Sequence, residues 1–483
     1  MDILSLNLIY ESISDNLCQT ITCSRLTLFA KEDTMHHDDY FSKCLRSNRL
    51  TRRQVLWLLG VGTVSACSWS LQGCATSPVT GRSILVGMSE AQERAIDTQV
   101  SPHQFSRDLG EVQDARVNSY LSEVGQRIHT TSHRPTMPYS YRVLNANYIN
   151  AYTFPGGAMG VTRGIVTELE DEAELAALLG HEAGHVNARH AAQRQGQSML
   201  AQVAVVGLTV AAGDSGWGGL VGLGSQLGAS ALLSSYSRDN EREADALGQE
   251  YMVRAGYPAD GMVELHQLLV EQEKEEPSLL ATMFSTHPMG RERRDNARVL
   301  ASTRYAASSG ADRGQERFMD NTAALRRIKP TINACKQGET AMAQKKLSEA
   351  EKQFGTALSA TPEDYAANIR MAQCLQAQGK DDQAMRYADT ARKIYPEEAQ
   401  GHKLFGVLAL AQGEPAAAYN AFDQFDQALP GDIGVTFLKG VAAEGMGDRQ
   451  RAGRQYSSFL QQTQQGEAAQ YAYRRLQQWG MVR

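Results

Sequence analysis

A period of 34 residues organises the chain after position 330. Pro362, Pro396 and Pro430 stand 34 apart, and so do Ala350, Ala384, Ala418 and Ala452. Phe354, Ala388, Phe422 and Tyr456 keep the same 34-residue interval, as do Gly379, Gly413 and Gly447. A generic alanine-rich bundle would not hold these registers in phase, so the stretch is an array of one repeated unit. The alanines favour helix. A small residue suits the crossing of two helices, a bulky one the second helix of the pair, and a proline its far end. One helix pair cannot bury its own apolar face, so about four such units must stack into an all-α superhelix.

This spacing resembles the tetratricopeptide repeat, whose concave face would bind extended peptide or another protein and does no chemistry. Any catalysis must therefore lie upstream. A chain of 483 residues has room for roughly two or three domains. We divide it into an N-terminal extension with an export signal over 1–74, a catalytic domain over 75–300, a linker over 301–329 and the repeat domain over 330–483. Residues 302–316, rich in Ser, Ala, Gly and charge, mark the linker. The composition is that of a globular protein, 42% hydrophobic and 21% charged, and the net charge of −6 gives no reason to expect nucleic-acid binding, which usually shows as a basic patch. No nucleic-acid partner is expected.

Within the catalytic domain, Leu109, Val112, Val117, Leu121, Val124 and Ile128 are spaced for one buried helical face over 89–130. Residues 139–166 alternate and carry β-branched and aromatic side chains around Pro155-Gly156-Gly157, which predicts two or three strands with a turn at the glycines. A helix is expected from Glu168 to about Arg194, opened by acidic residues that suit its dipole. Residues 201–212 are apolar and 213–228 glycine-rich, but Asp214 and the glycines interrupt the run. A buried helix and a mobile loop over the active site fit better than a membrane span. Residues 236–255 and 260–275 read as helices. The fold class is α+β: a mostly helical domain with a small sheet, then the all-α repeats.

The chemistry is concentrated in His181-Glu182-Ala183-Gly184-His185. Positions i and i+4 share a helix face, so His181 and His185 can reach one metal. Glu182, about 100° round the helix, can address a water on that metal. Neutral imidazoles suit zinc, and three protein ligands leave a fourth position for water. Zinc lowers the pKa of that water, Glu182 takes its proton, hydroxide attacks a peptide carbonyl, and Glu182 returns a proton to the leaving amine. One Zn2+ per subunit is expected. Downstream, Glu241 and Asp245 are again i and i+4 in a helical segment. Glu241 could ligate the metal while Asp245 orients a ligating histidine. Without the upstream motif, this run would read as a solvated acidic face.

Together these segments resemble the HtpX-like and CAAX-prenyl zinc endopeptidases. The Glu-x-x-Ala-Asp spacing after Ser237-Arg238 is that family's third-ligand motif, and it implies Glu241, not Glu243, on the metal. The likeness extends to Thr286-His287-Pro288, to Arg293 six residues after that His, and to the edge-strand segment from Asn150 to Gly157, covering about residues 90–300. It implies a zincin-type protease with Glu182, Asp245 and His287 as catalytic residues. In one subgroup the His of Thr-His-Pro can act as an extra zinc ligand that displaces water. His287 would then be an autoinhibitory switch. A competing role is donation to the oxyanion of the tetrahedral intermediate, and the plainest reading is a hydrogen-bonded His before a helix. Arg293 could bind a substrate carbonyl or pair with an acid. His190 and His266 lie on helical faces outside any motif and receive no role. The strand near Gly156 and Gly157 could hold substrate by β-addition, with little sequence choice.

Arg52 and Arg53, the apolar stretch Val55 to Ala66, and Leu71-Gln72-Gly73-Cys74 describe a secretory signal. The first part looks like a twin-arginine signal. The last four residues resemble the bacterial lipoprotein box, which implies lipidation of Cys74 and, with Ala75 following, sorting to the outer membrane. Met35 is the plausible start of translation. Cys335 and Cys374 would be the remaining thiols, and an envelope compartment permits a disulfide between them. The expected protein is an envelope zinc endopeptidase, periplasmic and anchored to the outer membrane. Its substrates would be misfolded or misassembled envelope proteins, and its repeats could contact the outer-membrane assembly machinery. The alternative is a chaperone or scaffold with latent proteolysis. A CAAX-type processing enzyme is disfavoured because the chain lacks several membrane spans.

Overall fold

The computed structural model describes residues 74–198, 236–275, 287 and 290–482. The export segment, Met35, the 201–228 stretch, Thr286 and Pro288 lie outside the described residues. The chain divides into two compact units between Ile332 and Asn333.

The first unit begins with a hairpin, β1 (Cys74–Thr76) and β2 (Ser83–Leu85). Helix α1 (Glu90–Arg107) starts at a reciprocal cap between Ser89 and Gln92. The helix expected over 89–130 is broken. Leu109 and Gly110 have left-handed backbones (φ 68° and 73°), and Asp114 caps a second helix, α2 (Ala115–His129). Leu109 is still buried, so the apolar spacing was genuine but spanned a turn. Val117, Tyr120, Leu121, Val124 and Ile128 form the buried face of α2.

Strands β3 (Ser140–Leu144), β4 (Ala151–Thr153) and β5 (Ala158–Thr162) make one sheet in the order β3-β5-β4, with β3 parallel and β4 antiparallel to β5. The expected edge segment is thus an edge strand, β4, with its turn at Gly157 (φ 103°). Asp97 on α1 fastens that turn: its carboxylate accepts from the backbone N–H of Gly156 (2.8 Å) and Ala158 (2.5 Å). One short turn follows, α3 (Arg163–Val166).

Helix α4 (Glu172–Ala188) is buried on every side, as its run of Ala and Leu requires. Asp171 caps it, which places its start a turn later than the acidic run suggested. Arg189 ends it in a left-handed conformation, and the chain turns helical again over 190–198. Helix α5 (Arg238–Arg254), capped by Ser237 and Asn240, crosses α4 at small residues. A Cβ on Gly184 would lie 2.7 Å from the Ala244 carbonyl oxygen, and one on Gly248 would lie 2.6 Å from the His181 nitrogen. The two backbones touch there, and that contact sets the site. Helices α6 (Asp260–Glu275) and α7 (Arg291–Ser302) complete the wall.

The segment 301–329, expected as a linker, carries helix α8 (Gln315–Arg327). Phe318 and Leu325 of α8 are buried in the same core as α2 and α4, and Arg317 pairs with buried Glu172. Its charge-rich composition concealed a short buried face, Phe318, Thr322 and Leu325.

The second unit is all helix, as expected. It comprises α9 (Lys329–Ala343, whose first turn precedes the division), α10 (Leu347–Ala360), α11 (Tyr365–Gln378), α12 (Asp381–Ile394), α13 (Ala399–Ala411), α14 (Pro415–Ala428), α15 (Ile433–Gly445), α16 (Arg449–Gln462) and α17 (Glu467–Gln478). These are four helix pairs and a closing helix. Ala350, Ala384, Ala418 and Ala452 are fully buried, as are Phe354, Ala388, Phe422 and Tyr456. The structure adds two more periodic sets. Asp364, Glu398 and Asp432 cap the first helix of successive pairs. Gly338, Gly406 and Gly440 lie against the rings of Phe354, Phe422 and Tyr456, where a Cβ would come within 2.5 Å. In the second pair, where Ala388 replaces the ring, Ala372 replaces the glycine. Cys335 and Cys374 are buried thiols with no disulfide between them.

Candidate metal centre

Glycine contact between α4 and α5 brings the residues singled out in the sequence into one buried cluster. One donor atom each from His181, His185, Glu241 and His287 lies within 4.8 Å of the others. His181 Nε2 is 3.1 Å from His185 Nε2 and 3.3 Å from His287 Nδ1. Glu241 Oε1 is 3.3 Å from His185 Nε2 and 3.1 Å from His287 Nδ1, and Glu241 Oε2 is 3.7 Å from His181 Nε2. A tetrahedral zinc ion with bonds of about 2.0–2.1 Å places its donors about 3.3 Å apart. The cluster matches that spacing. The donor chemistry fits too, with three imidazoles and a carboxylate turned toward one point.

The outer sides of His181 and Glu241 are held. Asp245 Oδ1 sits 2.9 Å from His181 Nδ1 and 3.2 Å from His266 Nε2. Arg293 grips Asp245 through Nε (2.6 Å) and Nη2 (2.7 Å), and reaches Glu241 Oε2 at 2.7 Å through Nη1. Arg293 therefore pairs with two acids. Burial alone would push both carboxyls up, but the neighbouring charges win. His287 with His185 holds Glu241 ionised well below the usual carboxylate range, and Arg293 with His266 does the same for Asp245. Burial depresses the His185 pKa, which keeps that ring neutral and able to ligate.

Glu182 projects from the same helix and is 1% exposed, and neither of its carboxylate oxygens has a hydrogen-bond partner among the described residues. Its nearest charged neighbour is His287, Nε2 to Oε1 at 3.8 Å. Burial raises its pKa from the ordinary value. The edge strand adjoins this point, since Thr153, Phe154 and Pro155 share a crevice with His185, Val186 and Tyr236. Cys74 is apart from the cluster, exposed at the start of β1.

Sequence reasoning passed over three neighbours. Tyr236 stacks on the His185 ring (centroids 3.9 Å apart), Arg194 lies over Tyr236, and His190 touches His185. His266, also without a motif, turns out to face Asp245.

The comparisons with known proteins agree with this geometry. Residues 115–301 match Peptidase family M48, and residues 341–406 match the tetratricopeptide repeat. The "Beta-barrel assembly-enhancing protease" of Yersinia pestis is 30% identical over 233 residues, 47% of each chain. The "Mitochondrial metalloendopeptidase OMA1" of Arabidopsis thaliana is 26% identical over 51% of this chain and 49% of its own. The "Metalloprotease LoiP" of Escherichia coli strain K12 is 27% identical over 44% of this chain and 81% of its own. The chain spans about half the length of the first two relatives. The four gathered ligands all fall within the segment that matches Peptidase family M48, and the segment that matches the tetratricopeptide repeat follows it.

Proposed function

We propose that the chain is an envelope endopeptidase that hydrolyses peptide bonds in misfolded or misassembled periplasmic and outer-membrane proteins, with the repeats binding substrate or partner. The observation that carries the catalytic part is Glu182: a buried carboxylate with no hydrogen-bond partner for either oxygen among the described residues, beside four convergent metal donors. His181, His185 and Glu241 would hold the zinc, which when bound acidifies water and polarises the scissile carbonyl. Glu182 takes the proton of the attacking water and delivers it to the leaving amine, a role that its burial-raised pKa suits. Asp245, clamped by Arg293, fixes the orientation of His181. Substrate main chain adds to the edge of β4 that pairs with no strand among the described residues, beside the His185 ring, so recognition is of extended backbone.

His287 supplies the control. A catalytic zinc site keeps a coordination position open, whereas four protein donors close it. With His287 Nδ1 at donor spacing from both His181 and Glu241, the resting site is latent, and it becomes active when the His287 ring withdraws from the other three donors. Casein digestion by purified protein tests both roles. Glu182→Gln lowers turnover by about 10²–10⁴-fold with zinc content unchanged, and His287→Ala raises it several-fold. Full activity in Glu182→Gln would sink the protease reading. A drop in His287→Ala would favour oxyanion donation.

The repeat array favours a second reading, a holding scaffold for assembly intermediates of outer-membrane proteins with proteolysis suppressed. It requires that envelope quality control survive Glu182→Gln and fail on deletion of the repeats. The anchor in this reading is Cys74, whose exposure is compatible with lipidation. Lipidated there, the chain fractionates with outer membranes, and Cys74→Ser releases it to the soluble periplasm. Equal fractionation of the two would remove the anchor. Among the described residues, no helix is long and apolar enough to cross a membrane.

A further inference from the structure

His185 poses a problem that His181 does not. His181 Nδ1 has the Asp245 carboxylate as its acceptor at 2.9 Å, so Nε2 is left as the lone pair facing the other donors. The Nε2 of His185 faces the same point, 3.1 Å from His181 Nε2 and 3.3 Å from Glu241 Oε1. Its proton must therefore sit on Nδ1 and needs an acceptor. Among the described residues no carboxylate lies there. The atom within reach is Nδ1 of His190, at 3.0 Å. Two N–H groups or two lone pairs facing each other at that distance would repel, so one ring donates and the other accepts. The far side of His190 decides which. His190 Nε2 lies 3.2 Å from Glu243 Oε2, and a carboxylate only accepts. Nε2 of His190 therefore carries its proton, Nδ1 of His190 is a lone pair, and His185 Nδ1–H donates to it.

We propose that His190 is the positioning residue for His185, the middle of a Glu243–His190–His185 relay that fixes the tautomer and ring orientation of the second metal ligand. The inference rests on the metal-centre reading above. It adds that the two motif histidines are oriented by different devices, a carboxylate directly for one and a carboxylate acting through a second imidazole for the other. The relay exists because of Arg189. On an unbroken helix, residues five apart point about 140° away from each other. Arg189 adopts the left-handed region (φ 59°, ψ 36°), which stops α4 and folds His190 back onto the face of His185. A buried arginine holds this turn by its own bonds, Nε to Glu93 Oε1 at 2.8 Å and Nη2 to the Met88 carbonyl at 2.9 Å. The Tyr236 ring, stacked on His185 at 3.9 Å, closes the other side.

The test measures zinc affinity of the full chain by competition with a chromogenic chelator, together with the visible spectrum of the Co2+-substituted protein. His190→Leu keeps the bulk and removes the acceptor. We expect it to bind zinc about 10- to 100-fold more weakly and to alter the Co2+ bands, with the far-ultraviolet circular dichroism unchanged. His190→Gln, whose amide can accept from His185 and donate to Glu243, restores most of the affinity and the wild-type bands. If His190→Leu fails to fold, Glu243→Leu decides, because Glu243 is 38% exposed and lies at the outer end of the relay. That variant shows a several-fold loss of affinity with the same unfolding midpoint. Wild-type affinity and spectrum in the folded His190→Leu protein, or in Glu243→Leu where it stands in, overturn the inference. Equally weak binding by His190→Gln and His190→Leu also overturns it, since bulk packing would then be the cause. Failure of the wild type to bind zinc at all would instead remove the metal-centre reading.

Discussion

Asp97 ties the turn after the edge strand to helix α1, and its burial gives that tie a pH dependence. Burial outweighs the two backbone N–H bonds it accepts and pushes its carboxyl up to about 7. In the unfolded chain the same group titrates near 4. The folded protein therefore holds a proton that the unfolded chain has lost between those values. The stabilisation is fully present below about pH 4 and is lost as pH rises through 7. Glu174, pushed up to about 7 by its own burial, adds a component of the same sign. Thermal midpoints of metal-free protein should therefore fall from pH 5 to pH 8, and Asp97→Asn should flatten that slope. An equal slope in the variant would show that Asp97 is not the titrating group. At this scale most of the metal centre was legible. His181 and His185, then Glu241 and Asp245, are pairs at i and i+4, and a helix puts such pairs on one face whatever surrounds it. His190 was not legible. Its role depends on a left-handed Arg189, a conformation in which Gly or Asn would be the expected residue, so nothing in the local sequence marks the turn.

The elements that carry those pairs meet through absence of side chain. Gly180 and Gly184 on α4 lie against Ala244 and Gly248 on α5, at one-turn spacing on both helices. Because the backbones touch, Glu241 and Asp245 reach histidines some sixty residues earlier in the chain. Gly248→Ala would place a methyl group 2.6 Å from the His181 nitrogen and 2.7 Å from the Gly180 carbonyl carbon, where only backbone could yield. We expect a loss of about 1–3 kcal/mol in urea unfolding and weaker zinc binding in the same protein. A variant that keeps both would show that this crossing does not set the site. Helix periodicity reveals each partner, but pairing two helices across a long insertion requires knowing which small residues face each other. Periodicity also misled over 89–130, and composition over 301–329. Buried Leu109 kept the apolar rhythm across a turn, and the charges of α8 hid its short apolar face.

At the scale of the whole molecule, the two compact units have different sources of stability. The first encloses the candidate metal centre, and a ligand that binds only the folded state stabilises it by RT ln(1 + [L]/Kd), about 2.7 kcal/mol at a hundred times Kd. Calorimetry of the full chain should show two transitions. Chelation should lower the transition of the peptidase unit and leave that of the repeats in place. A shift of both, or of neither, would contradict this division. The repeat unit was the most legible part of the chain, because a period of 34 fixes helix pairs, caps and buried positions together. Its paired register, glycine under a ring in three repeats and alanine under alanine in the second, has a consequence for engineering. The first, third and fourth repeats share one gauge and can be exchanged or multiplied as cassettes. The second is cut to another gauge: a phenylalanine placed at Ala388 is accommodated only when Ala372 becomes glycine in the same step.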